Sequence, residues 1–366
     1  MHKATFAKIL AAAIITMIAF PCTAAAGEIG QERVDAAVEA GLQWLAANQT
    51  KDGPDDGRWD APRYHVAATG IAGLAFLANG CLPGHPAYGK TVSKAVRYVQ
   101  GRIDADGFVG GQHGSMYVHS ICGLFVLSYL GMSGDPDHDL ELAAWARKAV
   151  GLTLKAQQVR KSPAEQGGWR YFPHSVDSDL SHTTWQLLLL YSARQAGYDV
   201  PDHVFDDAMR YVNSGFILPK DGKAGFVYRP GTSRDEGGGT TGAALMLKHL
   251  IERTWDEQSD MALDALRQFR PVWDGKPCKG YFYYGNFYIA LGIFHSSQEL
   301  WSQYSSWLRR VLVENQSSDG HWEFPPNAAA EPQLAGKAYS TAMAVLLLSL
   351  DKQYLPVFQR VDDAAH

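Results

Sequence analysis

Between Gln166 and Tyr191 the chain reads QGGWRYFPHSVDSDLSHTTWQLLLLY. Asp177, Asp179 and His182 lie close together there, and these are the residue types that general acid–base chemistry uses. A neighbouring carboxylate opposes ionisation of an aspartate, whereas a hydrogen-bonded imidazole favours it, so such a cluster can move a carboxyl from its ordinary pKa. Asp179 also opens a strongly apolar run, where an aspartate caps free backbone amides at a helix start. The candidate catalytic residues are therefore Asp179, Asp177 and His182, with capping as the alternative role of Asp179.

A second polar group precedes Thr240, where Arg229, Arg234, Asp235 and Glu236 lead into Gly237, Gly238 and Gly239. Glycines before a helix can present amides to an anion. No Walker lysine follows them, so the segment reads better as a flexible connection. Glu236 set across a cavity from Asp179 would make a carboxylate pair of the kind that cleaves glycosidic bonds. The aromatic run Tyr281, Phe282, Tyr283, Tyr284, continued by Phe287 and Tyr288, either lines an apolar or sugar-stacking cavity or packs the core.

The elements that must position these groups repeat along the chain. Each unit is an amphipathic helix, a turn with Asp-Gly or Gly-Gly and an aromatic residue, and a more apolar helix that stops at Gly or Asn. The apolar helices of the six units are expected at 67–78, 118–130, 181–195, 241–251, 286–295 and 340–350. A lone hairpin of this size buries too little surface to stand alone, so the units must stack. The expected fold is all-α, an α/α toroid of six helical hairpins with outer and inner layers, one domain over 27–366. An open superhelix is the competing arrangement. Aligned on Leu74, Leu124, Leu187, Leu245, Leu291 and Val345, the inner helices carry Thr69, His119, His182, Thr240, Asn286 and Ser340 five residues earlier. Such residues cap helix starts, or ring the mouth of a central cavity. One residue before the anchor five units have Gly or Ala, but the third has Gln186. Candidate ligand-binding residues are thus His119, Gln186, Glu236, Thr240, Tyr284, Asn286, Tyr339 and Ser340.

The turns carry a signature. Gln316-Ser317-Ser318-Asp319-Gly320-His321-Trp322 fits Gln-x-x-x-Gly-x-Trp, Gln49 with Gly57 and Trp59 repeats it with an insertion, and Gln158 with Gly167, Gly168 and Trp169 gives a third copy. This resembles the prenyltransferase and squalene-cyclase repeat family over nearly the whole chain after residue 26. The resemblance implies the terpenoid-cyclase-like toroid and structural roles for Gln49, Trp59, Trp169, Gln316 and Trp322. Class II terpene cyclases of similar fold protonate an isoprenoid with the central acid of Asp-x-Asp-Asp-Thr; here Asp177-Ser178-Asp179-Leu180 supplies two of the acids and Leu180 replaces the third. Related protein prenyltransferases hold zinc, but Tyr283 to Asn286 and Ala338 to Ser340 offer neither thiolate nor imidazole. Complement-like thioester domains need Cys-Gly-Glu-Gln, which Cys122-Gly123-Leu124-Phe125 does not match. Neither a metal nor an organic cofactor is expected.

Composition narrows the remaining classes. The 366 residues include 46% hydrophobic and 19% charged positions with a net charge of −5, a globular composition without the basic face that nucleic-acid binding needs. Lys3 and Lys8, the apolar stretch 9–20 and Ala24-Ala25-Ala26 read as a signal peptide over 1–26, giving an exported protein, periplasmic or secreted. No later run is long enough for a transmembrane segment. Cys81, Cys122 and Cys278 form neither a zinc pattern nor an even disulfide set. The leading expectation is an exported toroid whose mouth binds a ligand or partner, a small molecule of isoprenoid or glycan type. The alternatives are a terpenoid-cyclase-like enzyme with Asp179 as acid, and a carbohydrate-active lyase or hydrolase using Asp179 and Glu236.

Overall fold

The computed structural model describes residues 29–110, 114–218, 224–231, 238–274, 281–328 and 331–360. The signal-peptide reading, Glu236 and Cys278 therefore lie outside the described residues. Among the described residues, six outer helices alternate with six inner ones. The outer set is α1 (Gln31–Ala47), α3 (Gly89–Gln100), α5 (Pro136–Gln157), α7 (Asp202–Ser214), α9 (Glu257–Leu266) and α11 (Gln298–Glu314). The inner set is α2 (His65–Leu77), α4 (Met116–Tyr129), α6 (Leu180–Gln195), α8 (Gly239–Leu247), α10 (Phe282–Ser296) and α13 (Gly336–Leu348), with a single short turn, α12 (Glu331–Leu334), before the last.

Each inner helix packs on the next, and α13 returns to α2, so the ring is closed and the superhelix is excluded. The layers follow from sequence. α3 and α7 bury one stripe each, whereas in α6 nearly every residue from Leu180 to Ala193 is buried, as expected of a helix enclosed on all sides. Small residues set the inner spacing: a Cβ at Gly73 would stand 2.2 Å from the Phe125 ring, and one at Gly242 would stand 2.3 Å from the Tyr288 carbonyl oxygen. The chain end, Pro356–Phe358, packs on α6, and Phe358 meets Phe287. Just before it, Tyr354 lies beside Gly80 after α2.

The Gln and Trp signature is a set of fasteners. Trp59, Trp169 and Trp322 are buried and donate through Nε1 to the carbonyls of Leu45, Thr153 and Leu312 on their own outer helices, at 2.7, 2.9 and 2.7 Å. Gln49, Gln157 and Gln316 each donate twice, to their own turn at Gly57, Gly167 and Gly320 and to the next outer helix at Thr91, Val204 and Ala37. The third fastener is thus Gln157, one residue before the Gln158 of the sequence reading. Gln316 joins the last unit to the first.

The recurrent polar position shifts in the same way. Thr69, Thr183, Thr241 and Thr341 accept the backbone amides of Trp59, Trp169, Phe226 and Trp322, and His119 Nδ1 accepts that of Val109. In three units the equivalent residue follows His182, Thr240 and Ser340 by one. These side chains hold the aromatic turn against its inner helix. In the fourth unit β1 (Phe216–Ile217) and β2 (Gly225–Phe226) pair antiparallel and bring Tyr228 beside α6, where its carbonyl accepts from the Leu180 amide at 2.9 Å; most of the glycine-rich connection that follows lies outside the described residues.

Candidate functional site

Asp179 caps α6, its Oδ1 accepting the His182 amide at 2.7 Å. Its Oδ2 accepts from the Tyr228 hydroxyl at 2.7 Å, from His182 Nδ1 at 2.8 Å and from Arg170 Nη1. The side chain is wholly buried. Burial opposes its ionisation, but the hydrogen bonds and charge of His182, with the Tyr228 hydroxyl, outweigh that and hold the carboxyl below its ordinary value. Asp179 is therefore an ionised carboxylate with its acceptor sites filled, tying together the third turn, α6 and the segment after β2. A group in this state has no proton to donate.

Around it the acidic and basic side chains pair off. Arg170 Nε also meets Asp177 at 3.1 Å, and Arg229 reaches Glu165 at 2.8 Å and Asp177 at 3.6 Å. Asp177 is half-exposed. The rings of Tyr117 and Tyr171 cover His182 with centroids at 3.9 and 4.3 Å. Its Nε2 has no hydrogen-bond partner among the described residues.

Above this cluster the inner helices enclose a cavity of about 450 Å³ with a mostly carbon lining. Every unit contributes: Tyr64 and Ala67, Tyr117 and Ile121, Tyr171 and Trp185, Tyr228 and Thr240, Tyr284 and Tyr288, then Glu331 and Tyr339. Tyr171 and Tyr281, 40% and 42% exposed, stand at the opening. The Trp185 indole N–H has no partner among the described residues. The volume and carbon lining are those of a small-molecule site.

Glu331 is the one carboxyl among the described lining residues. It is 3% exposed and accepts the amides of Tyr283 and Tyr284, at 3.2 and 2.8 Å, in the first turn of α10. The Tyr339 hydroxyl lies 3.4 Å away. Burial pushes the carboxyl up to about 7, against the lowering effect of those backbone amides. Sequence reading passed over it, since Glu331 belongs to no repeat element and follows Ala328, Ala329 and Ala330. Its one local signal is Pro332, which suits the first turn of a helix.

The candidate ligand-binding residues divide. Thr240, Tyr284 and Tyr339 line the cavity. His119 is engaged through Nε2 by Ala149 and Thr153, Gln186 donates to the Met116 carbonyl, and Ser340 donates to the Trp322 carbonyl. Asn286 donates to Phe282 and accepts from Tyr304. These four sit outside the lining and hold the frame. α10 begins at Phe282, ahead of the expected 286, so Tyr284 and Tyr288 stand one helical turn apart on one face. Cys81 and Cys122 are buried free thiols.

No protein-family model matches the sequence, and no curated protein matches it. Solved structures do share the fold. A type II terpene cyclase of Scytonema superposes with a TM-score of 0.56 at 12% identity, over 88% of this chain and 100% of that one, and another structure of it holds geranylgeranyl dihydroxybenzoate as substrate. A family 76 glycoside hydrolase from a bovine Bacteroides thetaiotaomicron strain gives 0.58 at 12% identity, over 87% and 77%. An α-1,6-mannanase of Salegentibacter, in complex with α-1,6-mannotriose, gives 0.57 at 11%, over 86% and 98%. These likenesses establish the α/α toroid.

Proposed function

We propose that this protein binds a small, largely apolar molecule of isoprenoid type in the mouth of its ring. The carrying observation is the cavity of about 450 Å³ walled by carbon and phenol rings from all six units. Apolar surface leaving water drives such binding at roughly 25 cal/mol per Å². Most of the surface this lining exposes is carbon, which an apolar ligand covers better than a glycan does; of the carboxylate pair a glycosidase would need, Asp179 is neutralised by Arg170 and His182 outside the lining, and Glu236 lies outside the described residues. The geranylgeranyl ligand of the terpene cyclase shows that a toroid of similar fold can enclose an isoprenoid. The reading includes no proton transfer from Asp179, whose ionised state weighs against that role.

Calorimetric titration with farnesol and with α-1,6-mannotriose tests the reading. Farnesol is expected to bind, and Ala67→Trp, which fills the cavity from α2, to abolish that binding. Mannotriose binding with no response to farnesol would contradict it.

A further inference from the structure

We propose that the ligand this cavity selects is cationic: an apolar molecule carrying an ammonium centre, held by the Glu331 carboxylate inside a box of phenol rings. The proposal rests on the apolar-ligand reading and adds the charge of the ligand.

Glu331 is the anomaly among the buried ions. Asp179 has Arg170 and His182, and buried Lys248 has Glu252 and Asp256. Glu331 has no Lys, Arg or His partner among the described residues, and none lines the cavity there. A buried carboxylate without a counter-ion is costly, and the cost disappears when a cation arrives. Two backbone amides at the start of α10 already orient its oxygens, so the group is pre-set to meet that cation.

The surrounding rings favour the same charge. Tyr284 and Tyr288 meet at 4.8 Å and 81°, and Tyr117 and Tyr171 at 6.5 Å and 63°. Rings set edge to face give walls of different orientation, and phenol faces attract cations, the more strongly when desolvated. An anionic head group would face both these rings and Glu331, so it is rejected.

The titratable groups facing Glu331 are Tyr281, Tyr283 and Tyr284 at the start of α10 and Tyr339 on α13. All four are phenols, raised above their ordinary value by burial, that of Tyr284 to about 12, so they stay neutral where Glu331 titrates. From the first unit, Arg63 and Tyr64 meet α12 through their backbone amides, which donate to the Leu334 carbonyl; the Arg63 guanidinium lies over the Tyr64 ring at 5.3 Å.

Calorimetry with farnesyltrimethylammonium, farnesol and farnesoic acid at about pH 8.5 and about pH 5.5 tests the proposal. The ammonium has a fixed charge, so any pH dependence belongs to the protein. It is expected to bind about tenfold tighter than farnesol at the higher pH. That preference should fall roughly tenfold at the lower pH, as Glu331 takes up its proton. Glu331→Gln should erase both the preference and its pH dependence; circular dichroism reports whether the variant folds, and the wild-type pH series decides alone if it does not. Equal affinity for ammonium and alcohol, or a preference unchanged by pH, overturns the proposal while leaving the apolar reading intact. Failure of all three probes to bind overturns both.

Discussion

Replacing Asp179 by Asn keeps the size of the side chain but leaves Arg170 and His182 facing a neutral amide. Removing one partner of a buried ion pair strands the other, so Asp179→Asn is expected to lose roughly 2–4 kcal/mol of stability in urea denaturation. If Asp179 were instead a proton donor held in reserve, the same variant would keep its stability and lose a product. The Asp179 carboxyl is held below its ordinary 3.8 in the fold. Its stabilisation is therefore complete above about pH 4 and disappears as pH falls through the folded value. Glu331 runs the other way. Its folded value of about 7 exceeds the ordinary 4.5, so the folded state retains a proton that the unfolded chain releases. Stability should fall between about pH 4.5 and 7 by at most roughly 3 kcal/mol and then level off. In thermal melts Glu331→Gln should flatten that slope and exceed the wild type at about pH 8.5; parallel pH curves for the two proteins would refute this. Sequence singled out Asp179, because an Asp-x-Asp pair beside a histidine stands out. Whether such a carboxyl is an acid or a neutralised keystone depends on Arg170 and Tyr228, the latter 49 residues away, and spacing does not carry that information. Glu331 was illegible because its significance comes wholly from burial.

At the scale of the elements, the turn glycines do the positioning. Gly167 has φ +96°, and a Cβ there would stand 2.2 Å from the Asp207 carbonyl oxygen on α7. Backbone does not yield as a side chain tip does. Gly167→Ala is therefore expected to lose at least about 2 kcal/mol through strain and clash. Gly151, inside α5 with open space around its Cβ position, gives the opposite sign: Gly151→Ala should gain roughly 0.5–1 kcal/mol. Chemical denaturation of the pair checks both, and equal effects would contradict the docking role of the turn. The Gln, Gly and Trp positions were readable because each does the same job in several units. Their exact partners were less so, since a one-residue offset moves the turn-holding role from His182 to Thr183 and from Ser340 to Thr341. On a helix buried all round, the apolar pattern does not fix that register.

At the scale of the molecule, closure is what creates the site, because lining residues come from every unit and α13 must meet α2 to complete the wall. Gln316→Ala removes the bond that joins the last unit to α1 at Ala37 and the one that holds its own turn at Gly320. It should lower the melting temperature and weaken farnesol binding together, whereas an open array would lose only local stability. The six-fold repetition made the toroid legible, while the cavity's contents were not, being set by side chains distant in sequence. Export stands as a proposal from the first 26 residues: N-terminal sequencing of protein recovered outside the cytoplasm should begin near Gly27, and an intact Met1 there would count against it. The most direct measurement is a crystal structure grown with farnesyltrimethylammonium. The account predicts density for the ligand between Trp185, Tyr284 and Tyr288 with its ammonium beside Glu331; a cavity filled by the protein's own side chains, with ligand absent or bound on the outer surface, would contradict it.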